Sequence, residues 1–263
     1  MYRTPLHSIK RKLADNIVIA SAPCAIPVLG RLNVGARMSL FEYDNQIIVW
    51  SAFPFCEDVQ ECLDMLQGEV THLIVPNLRH NVGIKSFKEK YPNLIIVGGE
   101  YNIEGVTIDQ SIPKTYGNKI LKETDLKEIG LSDVISKNFE FVSMVSHKNK
   151  DLVLYDKKSK ILFTADVTID MSPRKDLEQF KDEVDKDGFD PHWGYWGNSF
   201  LSRFLQPEYN FFKNRVNLLN GTDKPEGQDA LKLIYGMDIS KIVPCHGNVV
   251  EGKEALKKFY SFL

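Results

Sequence analysis

The chain has 263 residues, 43% hydrophobic and 26% charged, which suits one large folded domain or two small ones. Lys plus Arg number 33 against 35 Asp plus Glu, a formal net charge of -2, and that balance favours neither a nucleic acid nor an anionic membrane as partner. No apolar run approaches the roughly 18 residues of a membrane helix, and the basic start "MYRTPLHSIKRKLADN" has no signal-peptide apolar core behind it, although a short amphipathic transit segment fits the same residues.

Strand signals come first. "NIVIA" (16–20), "MSLFEY" (38–43) and "QIIVWSA" (46–52) are β-branched or aromatic runs, the last two joined by a hairpin turn at "DN". "RKLADN" before them reads as a solvated charge run. In "CEDVQECLDMLQGE" the apolar Val59, Cys62, Leu63 and Leu66 recur at helical spacing, with acids in the first turn. A strand "THLIV" (71–75), a short helix "GIKSFKEKY" stopped by Pro92, and a strand "NLIIVG" (93–98) follow. Cys24, Cys56, Cys62 and Cys245 form no C-x-x-C pair and read as reduced thiols of a cytosolic protein.

The middle of the chain predicts three more strands, "FEFVSMV" (139–145), "DLVLYD" (151–156) and "KILFTAD" (160–166), with "KKSK" turning between the last two. Residues 167–225 read as an insertion or lid, with a polar helix near 175–187 and an aromatic loop "DPHWGYWGNSF" containing His192, Trp193, Tyr195 and Trp196. That loop suits a wall over a cleft and a self-packed turn equally. A helix "QDALKLIYG" (228–236), a strand "KIVP" (241–244), the loop "CHGN" and a terminal helix close the chain. No linker divides it, so residues 1–263 are expected to form one domain: an α/β fold with two sheets face to face and helices outside.

Three histidines share a context. His80 and His246 each follow a buried strand and precede a helix, His147 directly follows a strand, and Asp166 ends one. Strand ends of this kind converge at one edge of a sheet, where clefts form. Imidazole and carboxylate suit zinc, iron or manganese. Each residue taken singly also fits a hydrogen-bonded structural role. Cys245 reads as a small buried residue or a nucleophile. The sequence holds no G-x-S-x-G, P-loop or dinucleotide fingerprint.

"DLVLYDKKSKILFTAD" resembles the paired strands of the metallo-β-lactamase superfamily that end in a metal-bridging aspartate, here Asp166. "SHKNKDLVLY" and "KIVPCHGNVVEGKEAL" resemble the segments that supply two ligand histidines, here His147 and His246. "THLIVPNLRHNVGI" falls where the family carries H-x-H-x-D-H. The resemblance spans most of residues 16–263 and implies a four-layer αββα sandwich. It also implies a departure. With His80 as the last histidine of the motif, Val75 and Asn77 replace the first two, and Arg79 replaces the aspartate. Valine cannot ligate, and arginine is permanently cationic.

The resemblance therefore implies one ion (Zn, Fe or Mn) on His80, Asp166 and His246. His147 would be a further ligand or general base, and Arg79 would bind an anionic group of a small ester, thioester or phosphoester. It also leaves a metal-free binding or scaffolding module in which Arg79 pairs with Asp166 where the ion would sit, and a redox enzyme using iron in the same site. A small molecule is the expected partner.

Overall fold

All six residues of Ile17–Ala22 are buried, yet their side chains divide between two cores. Ile17 and Ile19 join one; Val18, Ala20 and Ala22 join another. A strand covered on both faces lies inside a layered fold. The computed structural model describes residues 2, 5–26, 32–172, 190–192, 214, 217–218 and 220–263. The polar helix predicted near 175–187 and the aromatics Trp193, Tyr195 and Trp196 lie outside them.

The first sheet has seven strands: β1 (Ile9–Ala14), β2 (Ile17–Ala22), β5 (Ala36–Tyr43), β6 (Gln46–Trp50), β7 (Glu69–Val75), β8 (Ile95–Gly99) and β9 (Gln110–Ile112), hydrogen-bonded in that order. The short β3 (Ala25–Ile26) and β4 (Leu32–Asn33) pair as a separate ribbon. Pairing is antiparallel up to β6 and parallel from β6 to β9. Asp44 and Asn45, at φ 51 and 60, make the expected tight turn between β5 and β6. The second sheet has six strands: β10 (Ile120–Leu121), β11 (Phe139–Ser143), β12 (Leu152–Asp156), β13 (Ile161–Asp170), β14 (Lys241–Gly247) and β15 (Val250–Glu251), with β13 and β14 parallel.

Side-chain alternation assigns the layers. Phe41, Trp50 and Ile74 of the first sheet meet Phe141, Leu154, Phe163 and Val243 of the second in the central core. α1 (Glu57–Leu63) and α2 (Ile84–Lys90) cover the outer face of the first sheet through Val59, Cys62, Ile84 and Phe87. α5 (Pro225–Tyr235) and α6 (Leu256–Phe259) cover the outer face of the second through Leu231, Ile234, Leu256 and Phe259. This is the αββα sandwich expected from the sequence. α3 (Glu123–Glu128) and α4 (Asp133–Asn138), not predicted, send Leu126 and Ile135 into the central core.

Several sequence boundaries move: the predicted loop residues 245–247 are the end of β14, and β11 stops at Ser143 rather than 145. "RKLADN" contributes Arg11 to Ala14 to strand β1, because its backbone pairs antiparallel with β2, with a register shift between Lys12 and Ala14. β13 runs on to Asp170, so residues 167–170 of the predicted insertion are strand. No helix among the described residues is long and apolar enough to cross a membrane.

His72 ties β7 to the approach of α4. It is buried, with Nε2 2.8 Å from Ser132 Oγ and Nδ1 2.7 Å from Thr71 Oγ1. Burial lowers its pKa to about 4. The unfolded imidazole titrates near 6.5. Between those values the unfolded chain takes a proton that the folded chain refuses, so stability falls as pH drops from 6.5 toward 4 and is insensitive to this group above 6.5. The expected loss from His72 alone at pH 4.5 is about 2–3 kcal/mol. Urea unfolding of wild type and His72→Gln at pH 7 and 4.5 checks it; parallel pH slopes would refute it.

Candidate metal centre

The ends of the parallel strands gather at one edge. His80 lies past β7, His246 is the penultimate residue of β14, and Asp166 sits within β13. The register of β13 on β14 shifts between Thr164 and Ile169, and Asp166 lies within this irregularity.

Three ligand atoms meet there. His246 Nε2 lies 3.2 Å from His80 Nε2, and Asp166 Oδ1 lies 3.4 Å from His246 Nε2 and 3.5 Å from His80 Nε2. Around an ion with bonds of ~2.0–2.1 Å, tetrahedral ligands stand about 3.3 Å apart. The triangle therefore fits one zinc-sized ion, and two imidazole nitrogens with one carboxylate oxygen are donors that suit it.

The far side of each ring is held. His246 Nδ1 lies 2.7 Å from the Gly35 carbonyl oxygen, which can only accept, so Nδ1 carries the proton and Nε2 offers its lone pair. His80 Nδ1 lies 2.8 Å from Ser51 Oγ. Ser51 directly follows β6 at φ 56, a backbone region that L-residues rarely occupy, and its hydroxyl meets the ring. Burial works against a charge on Asp166, yet the contacts of His246 and His80 hold its carboxyl well below the usual range. Burial also opposes a charged His80, but the neighbouring Cys245 and Asp166 outweigh it and raise its pKa well above the usual value. The triangle calls for a cation, proton or metal.

Asp166 Oδ2 faces two amides. It accepts from Asn77 Nδ2 at 2.9 Å and Asn149 Nδ2 at 2.7 Å. Asn77 is fully buried; its Oδ1 accepts the backbone N–H of Arg79 at 2.7 Å and of His80 at 3.2 Å, and its Nδ2 also donates to Asp151 Oδ1 at 2.6 Å. Asp151 is buried as well. Its Oδ2 accepts the N–H of Asp166 at 2.9 Å and of Val167 at 2.8 Å.

Two sequence expectations meet a different arrangement. Arg79 makes no ion pair with Asp166 among the described residues and is exposed. The Asn77 side chain caps the backbone of 79 and 80, and that turn directs Arg79 outward. His147 is absent from the mutually close group, which holds His80, Asp166 and His246. Its ring is fully buried, Nδ1 accepts the Asn149 N–H at 3.3 Å, and Nε2 has no partner among the described residues. Cys245 is buried in the central core.

The sequence reading missed Arg37 and Asp151. Arg37 is buried between the sheets; it donates to Ser21 Oγ and to the carbonyls of Pro244 and Gly247, and its Nη2 lies 3.1 Å from His192 Nε2. His192, from the aromatic loop, is buried and accepts the Gly247 N–H at 3.0 Å. The signal for both missed residues is a lone charge beside a run of apolar strand residues.

A cavity of about 1440 Å³ opens above the triangle. His80, Asp166, His246 and Asn149 line it; Leu6, Phe55 and Val82 add apolar wall, Glu57, Asp58 and Glu61 acidic wall, and Arg79 and Lys148 cationic wall. Neither cation has an ion pair among the described residues.

No protein-family model matches the sequence, and neither does any curated protein. Solved structures do. A metallo-β-lactamase from Hirschia baltica superposes with a TM-score of 0.58 at 11% identity, over 96% of this chain and 95% of that one. A metallo-β-lactamase from Pontibacter korlensis gives 0.53 at 13%, over 97% and 98%. Rubredoxin oxygen:oxidoreductase from Desulfovibrio gigas gives 0.60 at 14%, over 96% of this chain and 61% of that one. The chain has the metallo-β-lactamase fold. That fold carries both a lactamase and an oxidoreductase here, so the chemistry must be argued from the site.

Proposed function

We propose that this metallo-β-lactamase-fold chain is a mononuclear metal-dependent hydrolase of a small ester, thioester or phosphoester, with His80, Asp166 and His246 as ligands. The observation that carries the reading is the triangle of donor atoms at 3.2–3.5 Å, two of them imidazole nitrogens whose opposite nitrogens are held by other groups. A bound zinc, iron or manganese ion supplies a Lewis acid and a water whose pKa falls toward ~7.

The chain's own residues do the rest. Gly35 and Ser51 fix the two rings. Arg79 and Lys148, on the cavity wall, attract an anionic group of the substrate, and Leu6, Phe55 and Val82 accept its apolar part. His147 acts from behind, through Asn149, rather than as a ligand.

Metal titration tests this. Protein purified without added metal, then titrated with zinc, iron(II) and manganese by calorimetry, is expected to take one equivalent. Asp166→Ala and His246→Ala are expected to lose at least about a hundredfold in affinity, since even the outer partners of ligands are worth about 10–100-fold. No uptake of any of the three ions would sink the hydrolase and favour the metal-free binding module.

A further inference from the structure

We infer that Asn77, Asn149 and Asp151 form a hydrogen-bonded clamp that commits one oxygen of Asp166 to protein, leaves the other as a one-oxygen ligand, and so restricts the site to a single small ion of low coordination number. This rests on the three-ligand reading above.

The clamp is directional throughout. Asp166 Oδ2 takes two amide N–H groups, at 2.9 and 2.7 Å, while Oδ1 faces both histidine nitrogens. Asn77 cannot turn over. Its oxygen holds two backbone N–H groups and its nitrogen faces two carboxylates, so a flip would oppose donor to donor and acceptor to acceptor. Asp151 holds the nitrogen end of Asn77 and also takes the N–H groups of Asp166 and Val167 where the β13 register shifts. The same carboxylate thus fixes the backbone and, through Asn77, the side chain of one ligand.

Two consequences follow for the ion. A carboxylate with one oxygen occupied cannot chelate with both, which disfavours large ions such as calcium that use bidentate carboxylates and six to eight oxygens. The space beside Oδ2 is filled by amide hydrogens, which repel a second cation as a metal neighbour would not. Asn77 and Asp151 are positioning residues; Asn149, which lines the cavity, is the member of the clamp nearest solvent.

Cobalt(II) is the probe, because its visible absorption is intense in four- or five-coordinate sites and weak in six-coordinate ones. Wild type is expected to take one equivalent with an intense spectrum. Asn149→Ala removes one of the two amide donors on Asp166 Oδ2, leaving Asn77, and is expected to weaken cobalt binding by about 10–100-fold with a drop in visible intensity. Asn77→Asp replaces the amide by a third carboxylate beside Asp151 and Asp166 and is expected to admit a second equivalent. A merely structural role would move the melting temperature and leave the spectrum alone. Wild type without cobalt uptake would overturn the metal reading itself. Wild type with one equivalent, and an Asn149→Ala variant with the same affinity and spectrum, would overturn the clamp and leave the metal reading standing; that variant decides the matter if Asn77→Asp does not fold.

Discussion

Arg37→Met is expected to cost about 3–5 kcal/mol of stability, the usual penalty for removing one member of a buried charged network. Arg37 is 1% exposed, and its guanidinium crosses from β5 in one sheet to the backbone on either side of His246 in the other. Methionine matches the stem but leaves the carbonyls of Pro244 and Gly247 without their donor. Arg37→Lys keeps the charge, yet a single ammonium cannot reproduce the planar fork that serves Ser21, Pro244 and Gly247 together, so it too is expected to destabilise. For a chain of this size the Met variant should melt roughly 6–20 °C lower. A Met variant within about 1 kcal/mol of wild type in chemical denaturation would mean that the sheets are held together elsewhere and that Arg37 is incidental.

The fold was legible because alternation and apolar runs are local signals. Ile17–Ala22, Gln46–Trp50 and Leu152–Asp156 read as strands from composition alone, and the Asp44–Asn45 turn follows from two residues that tolerate positive φ. α3 and α4 escaped because six residues are too few for helical periodicity to stand out, and their apolar side chains are fixed by packing on the central core.

The site was legible in part, and the division has a physical origin. His80, Asp166 and His246 could be grouped because strand topology carries them to one edge whatever their neighbours do. The direction of a loop side chain cannot be grouped that way. Arg79 follows Asn77 by two residues, and the hydrogen bonds from the N–H groups of 79 and 80 to Asn77 Oδ1 decide that Arg79 faces out. His147, expected directly after a strand, lies four residues past the end of β11, and its ring is fully buried with Nδ1 accepting the Asn149 N–H. Arg37 and Asp151 carry no motif; the opposing sheet reveals what Arg37 holds, and the neighbouring β13 backbone together with Asn77 reveals what Asp151 holds.

Gly247→Ala is expected to be the most damaging single-methyl change near the site. Gly247 follows His246 directly, closes β14, and pairs with Asp170 of β13 at φ 86, in the region that disfavours any L side chain. A Cβ built there would fall inside the van der Waals surface of the Asp170 carbonyl oxygen, which is backbone and also accepts the Asn248 N–H at 2.7 Å. Neither strand can yield without losing ladder bonds. The residue's other contacts would move with it: its N–H donates to His192 and its carbonyl accepts from Arg37. The conformational penalty alone is about 1–2 kcal/mol, and the clash with a fixed backbone brings the expected loss to about 3 kcal/mol or more, a fall in melting temperature of roughly 6–12 °C. Because His246 is the adjacent residue, its Nε2 should leave the triangle even in protein that still folds, and zinc uptake should fall with it. Calorimetric melting and zinc titration of the same preparation check both halves. A variant that melts within about 2 °C of wild type, less than 1 kcal/mol at this size, and still takes zinc would show that β13 and β14 can part at this point without disturbing His246.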